Sequence, residues 1–155
     1  MLAEKWLEKH PLSPVTVPLG ASLEAAGEAL LAEPAARDLY VLDPSGRPCG
    51  HLSLRQIAGL LLAAERPTHS RRQLIDRIAF VRGPVEDYMD SHVLRIGLDE
   101  RISDVLHHFM ERRIEDIPVL GRDGCIVGVI RLRDLLAARL AHWARANGHE
   151  NFPEH

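Results

Sequence analysis

Nine histidines and two cysteines are the side chains most able to do chemistry, and their spacing argues against a metal or redox centre. His107 and His108 are adjacent, so on a helix they point about 100° apart, and no acid cluster accompanies them. Cys49 and Cys125 lack metal-ligand spacing and are too few for a disulfide framework; as reduced, buried small residues they need no special role. Arg66, Arg71, Arg72, Arg77 and Arg82 form a basic stretch able to hold phosphate or nucleic acid, but a solvated face with local salt bridges is the favoured reading of them. Glycine, serine and lysine assemble no phosphate-binding loop, no serine or cysteine sits in a nucleophile motif, and no two-histidine metal helix occurs. Ser53 and Asp134 each stand where an apolar-periodic stretch begins. A hydroxyl there caps a helix and a carboxylate there favours its dipole. The residues point to binding, with no catalytic site and no metal.

The chain that positions them has 155 residues, 46% hydrophobic, 26% charged and 5% aromatic, within ordinary globular composition. That length allows one compact unit or two small ones with marginal cores unless they pack together. Nineteen Lys and Arg against 22 Asp and Glu give a net charge of −3, which favours neither a dedicated nucleic-acid binder nor a polybasic membrane anchor. The longest nearly uncharged apolar run, Ile57 to Ala64, falls far short of the roughly 20 residues that span a bilayer. Glu4, Lys5, Glu8 and Lys9 around Trp6 and Leu7 read as an amphipathic helix, not a signal peptide, so a cytoplasmic location is expected.

An internal repeat organises the chain. Shifting the sequence by 78 positions superposes Asp38–Arg55 on Asp116–Arg133 without a gap, and seven of the 18 positions are identical: Asp38/Asp116, Val41/Val119, Leu42/Leu120, Gly46/Gly124, Gly50/Gly128, Leu54/Leu132 and Arg55/Arg133. Periodicity predicts the same elements in each copy. A short extended segment (Val15 to Val17, or Val93 to Ile96) leads to an amphipathic helix, marked by Leu23, Ala26, Leu30 and Leu31 in one copy and by Ile102, Val105, Leu106, Phe109 and Met110 in the other. Ser22 is placed to cap the first of these helices. Next come a strand (Leu39–Leu42, Ile117–Leu120), a turn containing Gly46 or Gly124, a second strand (Cys49–Leu54, Ile126–Ile130) and another helix. Neither unit covers its own sheet, so the two are expected to pack sheet to sheet about a pseudo-two-fold axis.

The expected organisation is an N-terminal helical extension over 1–10, a first unit over 11–66, an Arg-rich linker with a helix over 67–84, a second unit over 85–141 and a C-terminal tail over 142–155. This α/β pattern resembles a tandem pair of CBS (cystathionine beta-synthase) domains, the Bateman module. The resemblance rests on the duplicated strand-helix-strand-strand-helix order, on Ile117-Pro118-Val119-Leu120 before an Asp-Gly turn, and on Gly128-Val129-Ile130-Arg131-Leu132-Arg133-Asp134. The last stretch is similar to the family signature Gly, apolar, x, Ser/Thr, x, x, Asp; its counterpart is Gly50-His51-Leu52-Ser53-Leu54-Arg55-Gln56.

The resemblance implies a non-catalytic regulatory module of the energy-sensing type that takes an adenosine-containing ligand (AMP, ADP, ATP or S-adenosylmethionine) between its units. It implies that the helix-start acid accepts from the ribose hydroxyls and the signature hydroxyl donates to phosphate. The signature is split here: the second unit keeps Asp134 but has Arg131 at the hydroxyl position, and the first keeps Ser53 but has Gln56 for the acid. The main cleft is therefore expected around Asp134, Arg131 and Val129, closed by Val15, Thr16 and Val17. A weaker cleft is expected around His51, Ser53 and Gln56 with Ser91, His92 and Val93 opposite. Asp38 and Asp116 stand where many members carry a base, and uncompensated they would repel a polyphosphate. The family also implies a homodimer, here through Leu135, Leu136, Leu140 and Trp143, and an effector protein as partner. The alternative is a structural dimerisation or adaptor module with ligand-free clefts.

Overall fold

A computed structural model describes residues 1–63 and 70–148 of the chain. Ala64, Arg66, His149 and His155 lie outside the described residues, as do the end of the first unit and the second half of the C-terminal tail. In chain order the elements are α1 (Ala3–Lys9), β1 (Thr16–Pro18), α2 (Leu23–Leu31), β2 (Asp38–Leu42), β3 (Pro48–Ser53), α3 (Leu54–Ala63), α4 (Arg71–Val81), a single 3-10 turn (Val85–Asp87), β4 (Ile96–Gly97), α5 (Ile102–Arg112), β5 (Asp116–Leu120), β6 (Ile126–Arg131) and α6 (Leu132–Asn147).

The repeat becomes two three-stranded sheets of the same order, β1-β2-β3 and β4-β5-β6. In each, a short leading strand runs parallel to the centre and the hairpin partner runs antiparallel. Even the irregularities repeat: the register shifts between Val41 and Leu42 and again between Val119 and Leu120. Both hairpin turns close on a glycine with positive φ, +83° at Gly46 and +82° at Gly124, a conformation that costs other residues a Cβ clash. The expected leading strand over Val93–Ile96 contracts to Ile96–Gly97. The second strand stops at Ser53 because Ser53 already caps α3.

Strand alternation sends Leu39, Val41 and Leu52 into one core and Ile117, Val119 and Ile130 into the other. Helix periodicity supplies the cover: Leu23, Ala26 and Leu30 of α2, with Ser22 accepting from the Ala25 N–H at 3.0 Å, and Val105 and Phe109 of α5. The two cores also exchange their lids. Val85 is buried in the first core, its N–H bonding the Ala21 carbonyl at 2.8 Å, while Ala3 and Trp6 of α1 are buried in the second, the Ala3 N–H bonding the Glu100 carbonyl at 2.8 Å. So the N-terminal helix before the first unit completes the second core, and the opening residue of the second unit completes the first. The identical glycines of the repeat mark this crossing: a Cβ on Gly50 would run into Met89, and one on Gly128 into Leu7.

Candidate functional site

The residues of β2, β3, β5 and β6 that do not enter a core meet at the seam between the units. There Asp38 and Asp116 cap each other's strands. Asp38 Oδ2 accepts from the N–H groups of Asp116 at 3.0 Å and Glu115 at 3.4 Å; Asp116 Oδ2 accepts from those of Arg37 at 3.0 Å and Asp38 at 3.3 Å. The remaining oxygens are satisfied differently. Asp38 Oδ1 lies 2.7 Å from His51 Nε2, whereas Asp116 Oδ1 accepts from Arg131 Nε at 3.1 Å. Tyr40 Oη donates to the Asp116 carbonyl at 2.9 Å, and its ring leans on that of His51. The hairpin turns add Arg47 Nε, which donates to the Asp123 carbonyl at 2.9 Å.

Burial is the largest influence on the Asp116 carboxyl. It raises the Asp116 carboxyl above its ordinary value, while the Arg37 N–H and Arg131 oppose it. Burial also pushes the Tyr40 hydroxyl well up, reinforced by the charges of Asp38 and Asp116. The two acids that looked uncompensated in the sequence thus hold the units together.

Beside this clasp lies a cavity of about 470 Å³ with walls from both units. Asp38, Tyr40, His51, Ser53 and Gln56 line it from the first unit; Asp90, His92 and the α5–β5 turn Glu111–Ile114 line it from the second. Ser53 and Gln56 form a reciprocal cap, the Ser53 N–H donating to Gln56 Oε1 at 2.8 Å and the Gln56 N–H to Ser53 Oγ at 3.1 Å. The Ser53 hydroxyl proton and the Gln56 amide NH₂ are still available to a ligand. A second cavity of about 600 Å³ shares Asp38, Ser53, Arg113 and Ile114 with the first and continues past Arg37, Arg55 and Glu115.

The structure therefore gathers His51, Ser53, Gln56 and His92 around one space, while Val93 is half-buried and does not line it. The residues expected around Asp134 are distributed otherwise. Val15 and Val17 point into the first core, and only Thr16 shares the face of β1 that carries Tyr40 on β2. Val129 is buried, and its N–H donates to the Leu12 carbonyl. Arg131 is buried with its Nε committed to Asp116. Asp134 is half-buried in the first turn of α6, which has no side-chain cap. Sequence reading overlooked Tyr40 and Arg113. The first looks like any core aromatic; the second takes a left-handed backbone, φ 52°, that its residue type does not announce.

His107 and His108 part company, reaching Glu111 at 3.1 Å and Glu100 at 2.7 Å. Among the described residues no three His, Cys, Asp or Glu side chains gather as a metal site, and no helix is long and apolar enough to cross a membrane. On the far side of the second unit, an apolar groove of about 570 Å³ runs between Trp6, Leu106, Leu132, Leu135 and Leu136; Met110, Leu140 and Trp143 are exposed nearby.

Residues 85–141 match the family model of the CBS domain. No curated protein sequence matches the chain. Among solved structures, a CBS-domain containing protein from Agrobacterium tumefaciens superposes with a TM-score of 0.70 at 20% identity, over 90% of this chain and 99% of that one. An acetoin utilization protein from Vibrio cholerae gives 0.70 at 15% identity, over 97% and 98%. A CBS domain pair in complex with 5′-methylthioadenosine and S-adenosyl-L-methionine gives 0.68 at 19% identity, over 92% and 98%.

Proposed function

We propose, for a chain that carries a CBS domain at residues 85–141 and has the fold of a CBS-domain pair, that it is a non-catalytic regulatory module which binds an adenosine-containing ligand between its units. The observation that carries this reading is the cavity beside the Asp38–Asp116 clasp. It has walls from both units, and its polar groups belong to the residues that fasten those units together. We assign the ligand to the Ser53–Gln56 side. There a hydroxyl, an amide and two imidazoles face open space, whereas on the Asp134 side the basic residue of the signature is already spent on Asp116.

A ligand that engages His51 or Asp38 competes with the contact between them, and Asp38 also caps the first residues of β5. Binding therefore changes the relative stability of two arrangements of the units, which is how a small molecule shifts a population. The change would reach a partner through the exposed faces of α5 and α6. That apolar face, with Leu136, Leu140 and Trp143 open, also favours assembly of two copies, and it supports the second reading, a dimerisation or adaptor module with vacant clefts.

Thermal shift with adenosine, AMP, ADP, ATP and S-adenosylmethionine separates the two. A true ligand at about 100 times its dissociation constant adds about 2.7 kcal/mol, raising the Tm by about 5–10 °C. Gln56→Ala should diminish that shift and Asp134→Ala should leave it. The opposite pattern moves the ligand to the other cleft, and a Tm unmoved by every compound leaves only the adaptor reading.

A further inference from the structure

Away from the seam, the second unit carries the apolar groove of about 570 Å³ between α1, α5 and α6. Its walls are held in place. The Ile102 N–H donates to the Met1 carbonyl at 3.0 Å, and the Ala3 and Glu4 N–H groups donate to the carbonyls of Glu100 and Leu98 at 2.8 and 2.9 Å, so α1 is clamped along the groove. Trp6 of that helix is only 6% exposed, and Leu106, Leu132, Leu135 and Leu136 continue the lining. A hollow of this size with preformed apolar walls and a few placed polar groups has the form of a small-molecule site.

The polar groups are confined to one end. Along α6 the lining begins with Leu132, Leu135 and Leu136 and finishes with Arg139 and His142. Among the described residues these two are the only ionisable side chains in the lining, and neither meets a carboxylate. Asp134 is the single acid of α6, against Arg133, Arg139 and Arg145, and it does not line the groove. An occupant that satisfies both ends has an extended apolar body and one anionic end. A second copy of the chain does not fit that description. A two-fold contact over the groove would bury Arg139 and His142 of both molecules in one interface, with no acid on the groove walls to offset them. Leu140 and Trp143 lie outside the groove, so that part of the α6 face remains for assembly.

We propose that this groove binds a free long-chain carboxylate, its hydrocarbon chain against Trp6, Leu106, Leu132 and Leu135 and its carboxylate on Arg139 and His142. The length of the groove sets the length of the chain. From Leu132 to His142 the helix rises about 15 Å, at about 1.5 Å per residue. An extended hydrocarbon with bonds of about 1.5 Å advances about 1.3 Å per carbon, so about 12 carbons reach from the apolar end to the cations. The site is separate from the seam cavity and does not depend on what binds there.

Isothermal titration of the full chain with hexanoate, octanoate, decanoate, dodecanoate and tetradecanoate, each below its micelle-forming concentration, tests the proposal. Decanol and decylammonium serve as head-group controls. Each two-carbon step should tighten binding roughly tenfold, levelling off beyond dodecanoate. Decanoate should bind about fivefold tighter than decanol, and decylammonium more weakly than either. Arg139→Ala should erase the advantage of decanoate over decanol and leave decanol within about twofold. Leu106→Glu places an acid on the apolar wall and should weaken decanoate by tenfold or more. In a Trp143→Phe chain Trp6 is the one remaining tryptophan, and its emission should shift to the blue as the groove fills. The chain-length and head-group series use the wild type, so they decide even if a variant fails to fold. Affinity that does not rise with chain length, or equal binding of the three head groups, overturns the proposal. So does the failure of every carboxylate to bind; if sedimentation velocity then shows a dimer that Leu106→Glu splits, the occupant of the groove is a second copy.

Discussion

Asp38 and Asp116 occupy equivalent places in the two units and do the same thing with one oxygen each, accepting backbone N–H groups from the other unit. They differ in what holds the second oxygen. Asp116 meets a guanidinium whose side chain is 7% exposed, and Asp38 meets an imidazole 15% exposed in the wall of a cavity. The next residue on the same strand face differs as well: Tyr40 donates its hydroxyl across the seam to the Asp116 carbonyl, and its counterpart Pro118 has nothing to donate. A duplicated frame has thus been specialised. One side of the seam is filled and fixed by a buried ion pair; the other is left open and lined with groups that can change partners.

The largest effect that tests this contrast is removal of the two partners of the acids. Arg131→Ala leaves a buried carboxylate without its counter-ion and should cost about 3–5 kcal/mol. His51→Ala, beside a cavity that admits water, should cost about 1–2 kcal/mol. Urea denaturation measures both, and equal costs would dissolve the distinction between a fixed and an adaptable side. The pH dependence sharpens it. Burial already holds the Asp116 carboxyl above its ordinary 3.8, and losing Arg131 raises it further. The folded variant then binds a proton that the unfolded chain has already released, so its deficit should shrink as pH falls from 7 towards about 4. A deficit that grows on acidification would contradict the pairing.

Tyr40→Phe comes next. It strands the buried Asp116 carbonyl and should cost about 1–3 kcal/mol at neutral pH. The sign reverses in alkali. Because the folded hydroxyl ionises well above 10 and the unfolded one near 10, the native wild type holds a proton that the unfolded chain releases, and its stability falls as pH rises past 10. The phenylalanine variant lacks that loss, so the two melting curves should converge above pH 10. Parallel curves would mean that the Tyr40 hydroxyl titrates as an ordinary exposed phenol.

The 78-residue repeat gave away the frame: strand order, the turn glycines and the caps at Ser22 and Ser53 all follow from local periodicity and residue type. The clasp was less legible because its partners lie 76 to 79 residues apart, and nothing local distinguishes Asp38 from an exposed acid. The signal available was symmetry. A residue identical in both copies and close to the axis that relates them must approach its own counterpart. The paired Asp38 and Asp116 met that description. Arg131 illustrates the limit: a signature fixes where a residue stands on a strand, but whether its side chain serves a ligand or the seam depends on which acid reaches it first.

The smallest of these effects concerns the two helix starts. In α3 the Ser53 hydroxyl and the Gln56 amide satisfy two N–H groups that the first turn cannot, so Ser53→Ala should cost about 1 kcal/mol. In α6 the cap position is held by Arg131, whose side chain is occupied elsewhere, and Asp134 offers only its charge to the helix dipole. Asp134→Ala should therefore cost about 0.3–1 kcal/mol, a cost that fades in high salt while that of Ser53→Ala persists. If Asp134→Ala instead stabilises the chain, its carboxylate is kept at a structural loss. That result would argue for a ligand on its side of the seam after all, because a residue that weakens the fold and touches no partner is retained for something it binds.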